Sequence, residues 1–412
     1  LIFAIFVFFV VKDEILTATM KRSRFLLSMM SLLSAGLAGC TYFSEGQKMS
    51  EKEASVIVKP FGKTKDGQLV HLYTLTGAGG AVMDVIDYGG RVVRLSTPDR
   101  QGKLADITLG FNTVKEYEAN PGPYFGALIG RYGNRIAKGQ FTLDGQAYSL
   151  PTNNTPAGVP CSLHGGDKGF DAIVWHVEPL TEGETVGLKL SMTSPDGDQG
   201  YPGTLKVDVT YWLTPENVWK IEYEATTDKA TPINLTQHLY FNLKGQAEGD
   251  ILDHTLTLFA DKITPVDKGL IPTGKITSVA GTPFDFTAPH LIGERITAKD
   301  EQLDFGCGYD HNWVLNNPKG KLVKAAALFE KTTGRLVEVW TTEPAIQFYS
   351  GNFLTDEVPS KTPGKKLCRR GGLALETQHS PDSPNQPNFP STILRPGAVY
   401  KTTTEYRFGT KE

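Results

Sequence analysis

From residue 69 to residue 407 the chain is a succession of short runs in which apolar and polar residues alternate, each closed by Gly, Pro, Asn or Asp. A period of two puts successive side chains on opposite faces of a strand, and a chain written this way folds as antiparallel sheets packed face to face. The clearest runs are 69–76, 83–88, 91–96, 140–144, 187–193, 205–213, 218–226, 251–259, 336–341 and 399–407. Asp144-Gly145, between FTL and QAYSL, predicts a two-residue hairpin turn. Helical periodicity is confined to brief stretches such as 114–118, and 43 glycines and 25 prolines fit a chain of strands and loops. No linker rich in Gly, Ser or Pro divides residues 55–412. The expected fold is all-β: one domain over 55–412, built as a large antiparallel β-sandwich.

The N-terminus is set apart from this fold. Residues 1–11, LIFAIFVFFVV, are shorter than the roughly 20 apolar residues a membrane span needs. At Met20 the chain reads MKRSR, then an apolar run over 25–37, then LAGC ending at Cys40. A basic start, an apolar centre and small residues before a cleavage point make a secretory signal, and LAGC is similar to the bacterial lipoprotein signal, whose cysteine is lipidated. The expectation is upstream read-through over 1–19, a signal over 20–40, a tether over 41–54, and export to the periplasmic face of a bacterial membrane on a lipid anchor at Cys40. The rival, a retained spanning helix, is interrupted by Lys12, Asp13 and Glu14 and by Lys21, Arg22 and Arg24. Cys161, Cys307 and Cys368 are left, an odd number without CxxC or His/Cys metal spacing, so neither a disulfide framework nor a zinc site is expected. With 42 basic and 45 acidic residues and no basic block interleaved with aromatics, nucleic acid is excluded as the main partner.

Chemistry concentrates in a few stretches. In LALETQHSPDSPNQPNFP, residues 373–390, Glu376 faces away from Leu373, Leu375 and Thr377, and the prolines after His379 end the strand in an ordered turn. Glu376 is there either a half-exposed strand residue or a general base. In INLTQHLYFNL, residues 233–243, Ile233, Leu235, Leu239, Phe241 and Leu243 share one face, and Asn234, Thr236, His238, Tyr240 and Asn242 share the other. That polar face belongs either to solvent or to a cleft. GRYGNRI sets Asn134 and Arg135 beside glycines, where Arg135 makes a surface ion pair or donates its planar fork to a ligand. His164 in CSLHGGDKGFD is structural or functional. Asp310 in GYDHNWVL caps a turn or accepts from hydroxyls. Tyr124, Trp313, Gln347 and Tyr349 supply planar and amide groups of the kind that hold neutral sugars. No Walker loop, GxGxxG on a βα turn, HExxH or GxSxG occurs.

GRYGNRI, LHGG with GFD and Trp175, GDQGYPG, NLTQHLYFNLKG, GYDHNWVL, QFYSGNF and LALETQHSPDSPN occur in order, and from about residue 55 onward the chain resembles the aldose 1-epimerase (galactose mutarotase) family. The resemblance implies a large β-sandwich of distorted antiparallel sheets, the galactose mutarotase-like supersandwich, acting on a small aldose. It implies Glu376 as general base and His238 as general acid, and His164, Arg135, Asn134, Asp310 and Gln347 as contacts to sugar hydroxyls or the ring oxygen. Gln237 and Leu239 flank His238 where Asn and Ser are common, and Gly133 stands where Ala is common, which bears on substrate preference.

Interconverting anomers requires a proton to leave the C1 hydroxyl and another to reach the ring oxygen, then rotation about C1–C2 and the reverse transfers. Two positioned groups suffice, with neither metal nor organic cofactor. The expectation is a carboxylate at Glu376 and an imidazolium at His238, each supporting the other's charge. A glycoside hydrolase would want a second carboxylate where His238 stands. A phosphosugar epimerase would want an extra basic cluster. A non-catalytic sugar-binding lipoprotein would have no need of the acid–base pair.

Overall fold

The computed structural model describes residues 53–317 and 320–412. The expected read-through, the signal with Cys40 and nearly all of the tether lie outside the described residues. The alternating runs fold into three principal sheets. Ser55–Lys63, Leu69–Thr76, Val82–Ile86, Arg91–Pro98 and Leu104–Asp106 pair in chain order. A nine-stranded sheet is ordered His176–Glu182, Thr185–Ser194, Leu205–Leu213, Val218–Thr227, Tyr400–Thr410, Arg335–Thr341, Val323–Phe329, Thr255–Leu258, His290–Leu291. A six-stranded sheet runs Tyr240–Phe241, Leu373–Gln378, Ala345–Tyr349, Asp310–Val314, Lys262–Thr264, Thr277–Ser278. The long pairings in each sheet are antiparallel, as the sequence predicts.

Burial patterns show how the layers stack. Leu205–Leu213 alternates buried with more exposed positions, the signature of a sheet with one wet face. Leu373–Gln378 and Ala345–Tyr349 are buried at every position, so their sheet is covered on both sides. Leu373 and Leu375 pack into the main core, while Ala374 joins a second, smaller core with Phe125, Tyr240 and Tyr349. The nine-stranded sheet meets the strand of Glu376 through Tyr406, whose hydroxyl donates to Leu375 O at 3.0 Å, and through Thr404 and Thr377, whose hydroxyls lie 2.6 Å apart.

Local chemistry accounts for most boundaries. Asp144 and Gly145 both take positive φ between Gln140–Leu143 and Gln146–Ser149, as a two-residue hairpin turn demands. Thr113 caps the helix Val114–Ala119 by accepting from Glu116 N. Two expectations are corrected. The run 251–259 is strand only over Thr255–Leu258, because Ile251 to His254 form a turn in which the buried His254 ring accepts Leu243 N. The run 233–243 is not one strand either: Thr231–Pro232, Thr236–His238 and Tyr240–Phe241 pair with Ile393–Leu394, Ala127–Ile129 and Leu373–Gln378 respectively. Its alternation survives, since Ile233, Leu235, Leu239, Phe241 and Leu243 all enter the main core. Cys161, Cys307 and Cys368 are free thiols.

Trp219 is fully buried in the main core, stacked on Tyr406 at 5.0 Å and edge-on to Tyr211 at 5.4 Å. Trp219→Ala should therefore cost about 3–5 kcal/mol of unfolding free energy, read as a lower urea midpoint.

Candidate active site

Sheet register assembles the site. Gln347 lies opposite both Glu376 and Asn312, and Tyr349 lies opposite both Ala374 and Asp310. Residues two apart share a face, so Glu376, Gln347, Tyr349, Asp310 and Asn312 form one polar face of the six-stranded sheet. Above it lies a cavity of about 560 Å³ whose walls include Glu376, Asp310, His238, His164, Asn134 and Arg135. A half-exposed Glu376 and a solvent-facing His238 are both excluded, as the two residues are 2% and 5% exposed.

His238 reaches the cavity from Thr236–His238, whose partner is Ala127–Ile129, and Gly126 N donates to His238 O. Its imidazole is surrounded by rings: Tyr240 stacks at 5.1 Å, Tyr124 lies at 5.8 Å and His164 stands edge-on at 5.2 Å. His238 Nε2 is 3.7 Å from Glu376 Oε1, and Glu376 Oε2 has no hydrogen-bond partner in the protein.

Asn134 and His164, both at positive φ, exchange hydrogen bonds: His164 N donates to Asn134 O, and Asn134 N donates to His164 Nδ1. That bond occupies Nδ1 of a neutral imidazole and leaves the hydrogen on Nε2, which is then a donor rather than a metal ligand. The point matters because His164, His238 and Glu376 bring one potential ligand atom each within 4.8 Å of one another. The turn after His164 needs Gly165, at φ +96°, where a Cβ would fall 2.0 Å from Gly130 O. Arg135 directs Nη1 at Asn134 Oδ1, 3.4 Å away, and Nη2 at Asp310 Oδ2, 3.8 Å away. Asp310 Oδ1 accepts Gln347 Nε2 at 2.7 Å.

The charges are set by burial. Desolvation, with a smaller push from Asp310, raises Glu376 to about 8. Desolvation, helped by Arg91 and Arg135, lowers His238 to about 3, and desolvation with His238 and Arg135 holds His164 well below its ordinary value. Both shifts run against the expected carboxylate–imidazolium pair: burial favours the neutral carboxyl at Glu376 and the neutral imidazole at His238.

Glu376, His238, His164, Asn134, Arg135 and Asp310 meet in one cavity, as their motifs predict. Gln347 is placed differently, buried beside Asp310, which it orients, with its Oε1 unpartnered. The sequence reading missed Asn153 and Asn154. Asn153 clamps the histidine turn by donating to Leu163 O and Gly166 O and accepting Leu163 N, and Asn154 Oδ1 accepts Arg135 Nε at 3.5 Å. Their only signal is a polar pair within PTNNTPAG. The proline-rich turn braces the arginine: Asp382 N donates to Arg135 O and Asp382 Oδ1 accepts Ala137 N.

The family model described as aldose 1-epimerase matches residues 71–407. The galactose mutarotase of Rattus norvegicus is 44% identical over 326 residues, which is 79% of this chain and 90% of the relative. The aldose 1-epimerase of Escherichia coli (strain K12) is 40% identical over 346 residues, 83% of this chain and 96% of the relative. The crystal structure of galactose 1-epimerase from Lactobacillus acidophilus NCFM superposes with a TM-score of 0.74 at 28% identity, covering 87% of this chain and all of that one.

A buried carboxyl with a raised pKa makes stability pH-dependent. Between the ordinary 4.5 and about 8 the folded protein holds a proton that the unfolded chain lacks, so stability falls as pH rises through that window. Glu376→Gln, which cannot ionise, should melt like wild type near pH 4 and above it at pH 8, by calorimetry.

Proposed function

Since the chain belongs to the aldose 1-epimerase family, we infer that its cavity interconverts the α and β anomers of free aldoses such as galactose and glucose, with Glu376 and His238 exchanging the protons. The observation that carries the role assignment is the pairing of a buried carboxyl and a buried imidazole 3.7 Å apart in the wall of a cavity edged with hydrogen-bonding groups. Glu376 takes the proton of the C1 hydroxyl and His238 protonates the ring oxygen, which opens the ring to the aldehyde. After both transfers Glu376 is protonated and His238 neutral. The reverse transfers from that arrangement close the ring on either face.

The remaining groups position the sugar. Arg135 and the His164 Nε2–H are donors, Asp310 is an acceptor held by Gln347, and Tyr124 and Tyr349 offer ring faces to C–H surfaces. The direction of both pKa shifts favours a second reading, in which neutral Glu376 protonates the ring oxygen and His238 removes the C1 proton. A crystal structure with galactose bound separates the two by which group lies within hydrogen-bond reach of the ring oxygen.

Export and anchoring are a separate proposal, supported by the basic start at Lys21, the apolar run and LAGC. Cys40→Ala should lose incorporation of radiolabelled fatty acid by the full chain; a label retained on the variant would overturn it.

Residues 41–412 should speed the polarimetric mutarotation of α-D-galactose or α-D-glucose, and His238→Ala or Glu376→Gln should reduce kcat by at least about 10²-fold without loss of fold. For wild type, kcat/KM should be level through mildly acidic and neutral pH and decline above about 8, as the pair loses its one proton. No acceleration over buffer would defeat the assignment.

A further inference from the structure

Lys361 is a buried cation that proton transfer in the cavity does not use. Its side chain is 9% exposed, and Nζ donates to Val93 O at 2.6 Å and to Asp106 Oδ2 at 2.6 Å, with Thr108 Oγ1 at 3.5 Å. The other oxygen of Asp106 accepts Leu95 N, Thr108 N and Thr108 Oγ1. Val93 and Asp106 lie in Arg91–Pro98 and Leu104–Asp106, so the ammonium closes a socket built by two strands of the five-stranded sheet. The socket is also continuous with the site: Thr108 bridges to Phe241, and Leu109 N donates to Tyr240 O, two residues beyond His238.

The lysine stands in residues 350–372, the long stretch without helix or strand between Ala345–Tyr349 and Leu373–Gln378. Early in it, Phe353, Leu354 and Val358 form part of the cavity wall. Leu354 packs into the second core with Phe125, Tyr240 and Tyr349, and Val358 packs against that core. Lys361 follows three residues later. Backbone bonds tie the two ends, through Arg370 N to Gly351 O and Ile251 N to Arg370 O, but those donated between 354 and 365 are local, such as Leu354 N to Gly351 O and Val358 N to Thr355 O, so attachment of the middle depends on side chains. Gln246 bonds Ser360 and Thr362, and Asn112 Nδ2 donates to Lys361 O. The Lys365–Glu248 pair is solvent-exposed and contributes little. Arg370, buried at the far end of the stretch, donates to Cys307 O, whereas Lys361 is the buried charged anchor next to the wall residues, where a charge-assisted bond is strongest.

We propose that Lys361 is the positioning residue for the outer wall of the cavity: seated on Val93 and Asp106, it holds residues 353–358 in place and so sets how tightly an aldose is bound, without touching the transferred protons. The proposal rests on the cavity being the aldose site.

The test uses Lys361→Met, which retains the stem and removes the ammonium, and Lys361→Met/Asp106→Asn, which removes the pair as a unit and spares Asp106 a buried uncompensated charge. Asparagine can still accept the backbone bonds that Asp106 Oδ1 now takes. Galactose mutarotation gives KM and kcat, calorimetry gives the galactose Kd, and limited trypsin digestion reports cleavage after Lys365 and Lys366. Both variants should raise KM and Kd about tenfold, leave kcat within about threefold, and be cut faster in the 361–370 segment. A variant that is merely less stable would lose apparent kcat at unchanged KM, and that result would overturn the proposal. So would unchanged trypsin sensitivity, or a loosened segment with an unchanged Kd. Absence of mutarotase activity in wild type would defeat the functional reading instead, and the wall would still be judged by Kd and proteolysis.

Discussion

A carboxyl taken out of water loses hydration that few protein groups replace, and at Glu376 little replaces it: one oxygen has no protein partner and the other has only an imidazole 3.7 Å away. The carboxyl stays neutral until about pH 8 as a result. Much of the surrounding architecture serves to hold that unfavourable placement. Its strand is covered on both faces, by the main core through Leu373 and Leu375 and by the cavity with its second core on the other side. Tyr406 and Thr404 reach from the nine-stranded sheet to fix the strand from beneath. The same desolvation acts in the opposite sense on His238, and it is this opposition that leaves a single proton to be shared.

The fold was legible because strands with one wet face write their geometry into the sequence. Leu205–Leu213 and Val218–Thr227 could be read almost to the residue. Residues 233–243 were harder. The alternation correctly sorted core from cavity residues, yet it held no sign that the backbone takes three partners in turn between residues 231 and 241, because partner choice depends on distant segments such as Ala127–Ile129 and Ile393–Leu394. In LALETQ the pattern left two readings open: a polar residue facing a cavity looks the same as one facing solvent, so only the fold could show Glu376 to be buried.

The gathering of the site was legible from motifs, but its charge state was not. A sequence places Glu376 and His238 in one cavity by resemblance, whereas the sign of each pKa shift follows from how completely water is excluded. Loop clamps were hidden for a related reason. Asn153 acts through two donors and one acceptor on the turn after Ser162, and nothing in PTNNTPAG distinguishes it from an ordinary polar turn residue.

The departures from the family pattern around His238 take on another meaning once located. Gly133, Gln237 and Leu239 are absent from the cavity wall. Leu239 is in the main core, and Gln237 spans Gly126 O and the Tyr211 hydroxyl, an internal tie that also secures the loop behind His238. At Gly133 an added Cβ would lie 3.1 Å from Asn234 O, so the glycine suits a close backbone crossing and not a ligand. Among the wall positions, Tyr124, Leu270, Phe353 and Val358 stand on loops and not on strands. They lie outside the strands that carry Glu376 and His238, so the part of the wall they form is built independently of the acid–base pair.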